Sequence, residues 1–156
     1  MANYIKGTAL RETVFGFQVI KTAVAFPQTA TANLYTIAGG SVLVTSFFGL
    51  VSTVVAGTDP QLTIGIAPTT GTAETAGIAT STALTSAEVG TWIGVLASSG
   101  KAGALVNGAH AGNAVWTTTP FVVPAGNITL TTAASETGAV TWYLTYVPLD
   151  TGASVS

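Results

Sequence analysis

Only 10 of the 156 residues are charged, 4 basic and 6 acidic, where an average domain of this length would carry about forty. Threonine (28), alanine (25) and glycine (18) take their place, net charge is −2 and mean hydropathy is +0.59. Four cations neutralise too few phosphates to hold nucleic acid and give no polybasic attraction to anionic lipid; with no cysteine there is no disulfide.

The length suits one domain, able to bury roughly two thirds of its unfolded surface without a metal or disulfide staple. Residues 1–13 read as an N-terminal arm and 14–156 as one β domain. The arm carries a local cluster of mixed charge and aromatics, and Tyr4, Lys6, Arg11, Phe15 and Phe17 are the candidate partner-contact residues. The first strand is expected over Val14–Ile20, with Phe15, Phe17 and Val19 on one bulky face. The arm could add a strand to a neighbour's sheet edge, or pack as the first strand of its own sheet. Lys6, Arg11 and the apolar run Val14–Ile20 resemble a secretory signal, but Glu12 and Lys21 bracket that run too tightly for one.

Leu34–Ile37 and Ser41–Ser46 flank Ala38-Gly39-Gly40, a short hairpin signal, and the strand pattern resumes at Phe48–Val55 past a bulge or bend at Ser46 and Gly49. Ile37–Gly57 is long enough to span a membrane as a helix. Its Gly-Gly pair, its Ser and Thr residues, its β-branched content and its missing basic flanks favour strands. Gly57-Thr58-Asp59-Pro60 is a turn, and Gln61–Ala67 alternates with Leu62, Ile64 and Ile66 on one side.

Pro68–Ser86 is almost wholly Thr, Ala, Gly and Ser, and is expected to be a loop or thin excursion. Thr85-Ser-Ala-Glu88 matches a capping box, so a helical turn could precede Gly90. Trp92–Leu96 is a short strand, and Ala102–Ala114 is again small and glycine-rich. Val115–Thr118, Phe121–Val123, Asn127–Thr132 and Ala139–Val147 complete the strands, the last with Val140, Trp142, Leu144 and Tyr146 on one face. Eight to eleven short strands describe an all-β sandwich or barrel.

Catalytic chemistry has few candidates. His110 lies in Gly108-Ala-His-Ala-Gly112 with no acid nearby in sequence. Glu12, Asp59, Glu74, Glu88, Glu136 and Asp150 are scattered, mostly in expected turns, and read as solvated turn residues. Gly94–Ala102 resembles a phosphate loop but has one residue too many between its glycines and ends in Ala where a hydroxyl must reach magnesium. Asn127-Ile-Thr129 fits a glycosylation acceptor. No catalytic residue, metal site or cofactor is expected, and no enzymatic activity.

Neutral Thr-rich strands can desolvate against a partner without stranding ions, whereas edges with almost no lysine invite pairing. A closed ring of copies covers such edges, so a homo-oligomer is expected, a trimer before a dimer. An adhesin or carbohydrate-binding module would show a row of surface aromatics, but Trp92, Trp116 and Trp142 lie in expected strands and read as core. A holin-type membrane protein would need a helical span.

Phe26-Pro-Gln-Thr-Ala, Leu34-Tyr-Thr-Ile-Ala-Gly-Gly-Ser-Val-Leu-Val-Thr-Ser-Phe-Phe-Gly-Leu-Val and Val140-Thr-Trp-Tyr-Leu-Thr-Tyr-Val-Pro-Leu-Asp150 together resemble small virion proteins of tailed bacteriophages. The likeness covers most of the chain and is to capsid decoration, or cement, proteins. It implies a structural protein made in the bacterial cytoplasm that binds the outer face of the major-capsid shell, often as homotrimers. Many modest contacts bridging capsomers would then act together to stabilise the shell. The low charge departs from an exposed capsid protein and leaves a head-fibre or tail-associated role open.

Overall fold

The computed structural model describes residues 7–57, 61–81, 84, 87–96, 103–107 and 119–156. It is all-β, a sandwich closed on one side like a barrel, preceded by one short helix. In chain order the elements are α1 (Gly7–Phe15), β1 (Phe17–Ala25), β2 (Thr31–Ala38), β3 (Val42–Ala56), β4 (Leu62–Pro68) and β5 (Glu74–Ser81). Then come β6 (Trp92–Leu96), β7 (Gly103–Asn107), β8 (Phe121–Val123), β9 (Gly126–Thr132), β10 (Thr137–Pro148) and β11 (Ser154–Val155). The eleven strands of the described residues share one hydrogen-bonded sheet in the order β1-β10-β3-β6-β7-β5-β4-β9-β2-β11, with β8 also on β3. The sheet curls so that β1-β10-β3-β6 and β4-β9-β2 face each other, and the parallel β5–β7 pairing joins the two layers.

Three expectations are corrected near the N-terminus and the Gly-Gly turn. Residues 7–15 are helical, not an extended lead into a strand from Val14. Leu10, Arg11 and Glu12 are good helix formers, and Gly16 ends the helix at φ 92 with its N–H donating to the Glu12 carbonyl at 3.0 Å. Phe15 therefore leaves the strand pattern; Phe17 and Val19 lie opposite the inward Tyr146 and Leu144, while Ile20 lies opposite Tyr143. Ala38-Gly39-Gly40 is not a hairpin either, because β2 pairs with β9 and β11, and β3 with β10, β6 and β8. The segment is an arch between layers, clasped by the second arch at 149–153. The Asp150 carboxylate accepts from the Ser41 N–H at 2.7 Å, and the Leu149 N–H donates to the Ser41 carbonyl at 3.0 Å. A Cβ on Gly39, at φ 75, would lie 2.3 Å from the Gly152 carbonyl oxygen.

One segment expected to be a loop or thin excursion, and one that is small and glycine-rich, carry strands. Pro68–Ser86 contains β5, which is antiparallel to β4; its backbone ladders and the buried Ile78 and Ala79 hold it without large side chains. Ala102–Ala114 contains β7. The expected strands Ser41–Ser46 and Phe48–Val55 fall on one continuous strand, β3, whose register against β10 slips at Thr45, at Ser52 and between Thr53 and Ala56 instead of at Ser46 and Gly49. Val89 and Gly90 form a turn before β6, with the Thr91 N–H donating to the Glu88 carbonyl. Thr85 and Ser86 of the capping box, Val115–Thr118 and Trp116 lie outside the described residues.

Alternation in β10 holds: Val140, Trp142, Leu144 and Tyr146 are buried, and with Val42, Val44, Phe47 and Val51 of β3 they face Leu34, Tyr35, Ile37, Leu62, Ile64, Ile128 and Leu130. Tyr35 spans this core. Its ring lies edge-on to Phe47 at 5.9 Å, and its hydroxyl donates to the Trp142 carbonyl at 2.9 Å, where the β1–β10 register shifts between Lys21 and Val24. Burial raises the Tyr35 hydroxyl well above its ordinary pKa near 10. The neutral hydroxyl is favoured by folding, so its contribution is complete below about pH 10 and fades as pH rises beyond. Tyr35→Phe is expected to cost about 1–2 kcal/mol in urea unfolding at neutral pH and to flatten the alkaline loss of stability.

Glu136 corrects the expectation of a solvated turn acid. It is fully buried, both carboxyl oxygens lack a hydrogen-bond partner, and the Gln28 amide donates to its backbone carbonyl.

Candidate interaction face

Residues opposite one another on neighbouring strands point to the same side of a sheet, so register alone defines the outer face of β1-β10-β3-β6. One row runs Ile20, Tyr143, Phe48 and the next Thr141, Leu50, Trp92. At the end nearest α1, Val147, Leu43 and Val122 form a third. Between these lies a polar row of Gln18, Thr145 and Ser46. None of these outward residues is charged.

The centre of the face is aromatic. Phe48 and Tyr143 stack at 5.1 Å and 17°, and Trp92 meets Phe48 at 5.5 Å and 61° and Tyr143 at 6.1 Å. All three are half-buried, while Ile20, Val122 and Val147 are exposed. The outer layer of an antiparallel sandwich normally alternates to polar side chains. β3 does not: Val42, Val44, Phe47 and Val51 enter the core while Leu43, Phe48 and Leu50 point out. A strand apolar on both sides is a strand suited to cover on both sides, and adjoining apolar rows such as those of Ile20, Tyr143, Phe48, Leu50 and Trp92 mark an interaction surface.

α1 borders the face. The Thr45 hydroxyl donates to the Phe15 carbonyl at 3.4 Å, placing the helix end over the polar row. A cleft of about 390 Å³ lies between them, lined by Arg11, Glu12, Phe15, Gly16, Gln18 and Thr145. Of the residues singled out from sequence, Arg11 and Phe15 therefore meet in this cleft. Phe17 does not join them; its ring lies 5.7 Å from Tyr146 at the inner edge of the sheet. Tyr4, Lys6, His110 and Asp59 lie outside the described residues. Among the described residues no group of three His, Cys, Asp or Glu side chains is placed to hold a metal ion.

Sequence reasoning missed Phe48, Trp92 and Tyr143. The signal was present in Phe47-Phe48 and Leu50-Val51, adjacent apolar pairs that place bulk on both faces of one strand. Trp92 stands on the outer face and corrects the reading of it as core, whereas Trp142 is fully buried as expected. No described helix is long and apolar enough to cross a membrane.

Comparison with protein-family models, with curated proteins and with solved structures finds no match to this chain.

Proposed function

We propose that this protein is a structural virion subunit that docks on the outer surface of a phage capsid and stabilises the shell by bridging capsomers, working as a homo-oligomer with a trimer favoured. The observation that carries the reading is the uncharged, aromatic-centred outer face of β1-β10-β3-β6. Such a face loses water against another copy of the chain without burying an ion, and its rigid rings give contact area at low entropic cost, which supports the oligomer that would do the bridging. The sequence likeness to decoration proteins supplies the partner, the major capsid protein. It also supplies the setting, a virion assembled in a bacterial host.

Purified protein is expected to be oligomeric at micromolar concentration and to rebind capsids stripped of it. Ile20→Lys combined with Leu50→Lys places two charges on the face and is expected to weaken association about 100-fold or more, with the β circular-dichroism spectrum retained. Light scattering and capsid co-sedimentation check this; wild-type-like association of the double variant overturns the role of the face.

A second reading, a carbohydrate-binding module, is favoured by the same three rings. Sugar platforms present ring faces to solvent, whereas Phe48 and Tyr143 stack on each other. Affinity electrophoresis on polysaccharide gels separates the two readings: retardation that Trp92→Ala abolishes supports the module.

A further inference from the structure

We propose that α1 of one copy packs across the outer face of β1-β10-β3-β6 of the next, joining subunits head to tail; this rests on the self-association read above. The nine described residues of α1, taken by themselves, would make a helix too short to persist in water without a surface to lie on. Yet the large apolar side chains of α1 are unsheltered in its own chain, with Leu10 52 %, Val14 62 % and Phe15 66 % exposed. Leu10 and Val14 stand one turn apart on one flank. Arg11 and Glu12 line the cleft over Gln18 and Thr145, so the free flank is as uncharged as the face it would meet.

The dimensions agree. The described residues of α1 span about 13.5 Å, and four strands at the usual spacing are about 14 Å across. In its own chain α1 lies at the Thr45 and Thr145 end of the face and leaves Leu10 and Val14 exposed. A Cβ on Gly16 would lie 2.4 Å from the Tyr146 carbonyl oxygen, and that fixed turn sets the helix over Thr45 and Thr145, short of Ile20, Tyr143 and Phe48. Helix and face are thus complementary but belong to different copies. A contact between unlike surfaces closes a ring where its rotation returns to the start, and a trimer is one such ring.

The native chain has no cysteine, which gives crosslinking a clean background. Val14→Cys protein and Leu50→Cys protein, mixed, refolded together and oxidised, are expected to form a mixed disulfide dimer in excess of either variant alone. Leu10→Glu with Val14→Glu is expected to weaken self-association about 100-fold or more, with the thermal midpoint moved by only a few degrees because both side chains are exposed. No excess mixed dimer, or an oligomer unchanged in the Leu10→Glu, Val14→Glu variant, overturns the helix contact while leaving the structural role standing. A wild-type chain that is monomeric by light scattering at micromolar concentration overturns self-association itself.

Discussion

Trp142→Ala is expected to lower stability by about 3–5 kcal/mol, a large part of the roughly 5–15 kcal/mol that holds an average domain together. Trp142 is fully buried, packs at 5.5 Å on Phe47 and lies opposite Gly49 in the β10–β3 register. A Cβ on Gly49 would meet the indole ring at 3.0 Å, so the ring rests directly on the β3 backbone and nothing nearby can fill its volume. Its indole N–H has no acceptor, so the contribution comes from area and shape. Trp142→Phe, which keeps a ring and removes that unpaired donor, is therefore expected to cost no more than about 2 kcal/mol. Urea midpoints of the two variants measure the difference, and equal losses would show that the N–H has a partner after all.

Glu136→Met is expected to act in the opposite direction, raising stability by about 1–3 kcal/mol. The carboxyl group is fully buried against Gly57 with neither oxygen hydrogen-bonded, and a thioether of similar length removes that unmet need without opening a cavity. The site is tight: a Cβ on Gly57 would lie in direct collision with Glu136 Oε2. Gly57→Ala is therefore expected to be destabilising in the native background and much less so beside Glu136→Ala, a coupling that a double-mutant cycle reads directly. Loss of stability in Glu136→Met would mean that the carboxylate has a partner in the working protein.

Much of the architecture was legible because strand period and turn chemistry are local. Leu62, Ile64 and Ile66, and the run from Val140 to Tyr146, alternate cleanly, and the structure buries the faces they define. Failures came where partners distant in sequence decide. Ala38-Gly39-Gly40 has the composition of a hairpin, and what makes it an arch is the 149–153 turn, more than a hundred residues away, clasping it through Asp150. β5 lacks the bulk that marks a strand and is held instead by backbone ladders to β4 and β7.

The candidate face was less legible than the core. Leu43, Phe48 and Leu50 signal two-sided burial in the sequence, but Ile20, Tyr143 and Trp92 join them only through pairing between β1, β10, β3 and β6. The N-terminal candidates fared similarly. Arg11 and Phe15 meet in one cleft because a helix brings residues four apart together, while Phe17, beyond Gly16, falls to the other side of the sheet.

By itself, the sequence determined that this chain folds as β structure with almost no charge to place at a surface, because periodicity and composition need no knowledge of the remote partner. Tertiary structure alone decided that one layer turns outward a face whose strand side chains are aromatic and uncharged, that a carboxyl group is sealed inside, and that residues 7–15 form a helix beside that face. Each of those outcomes depends on which strands lie side by side, and the free energy of pairing distant segments is not written in any local pattern.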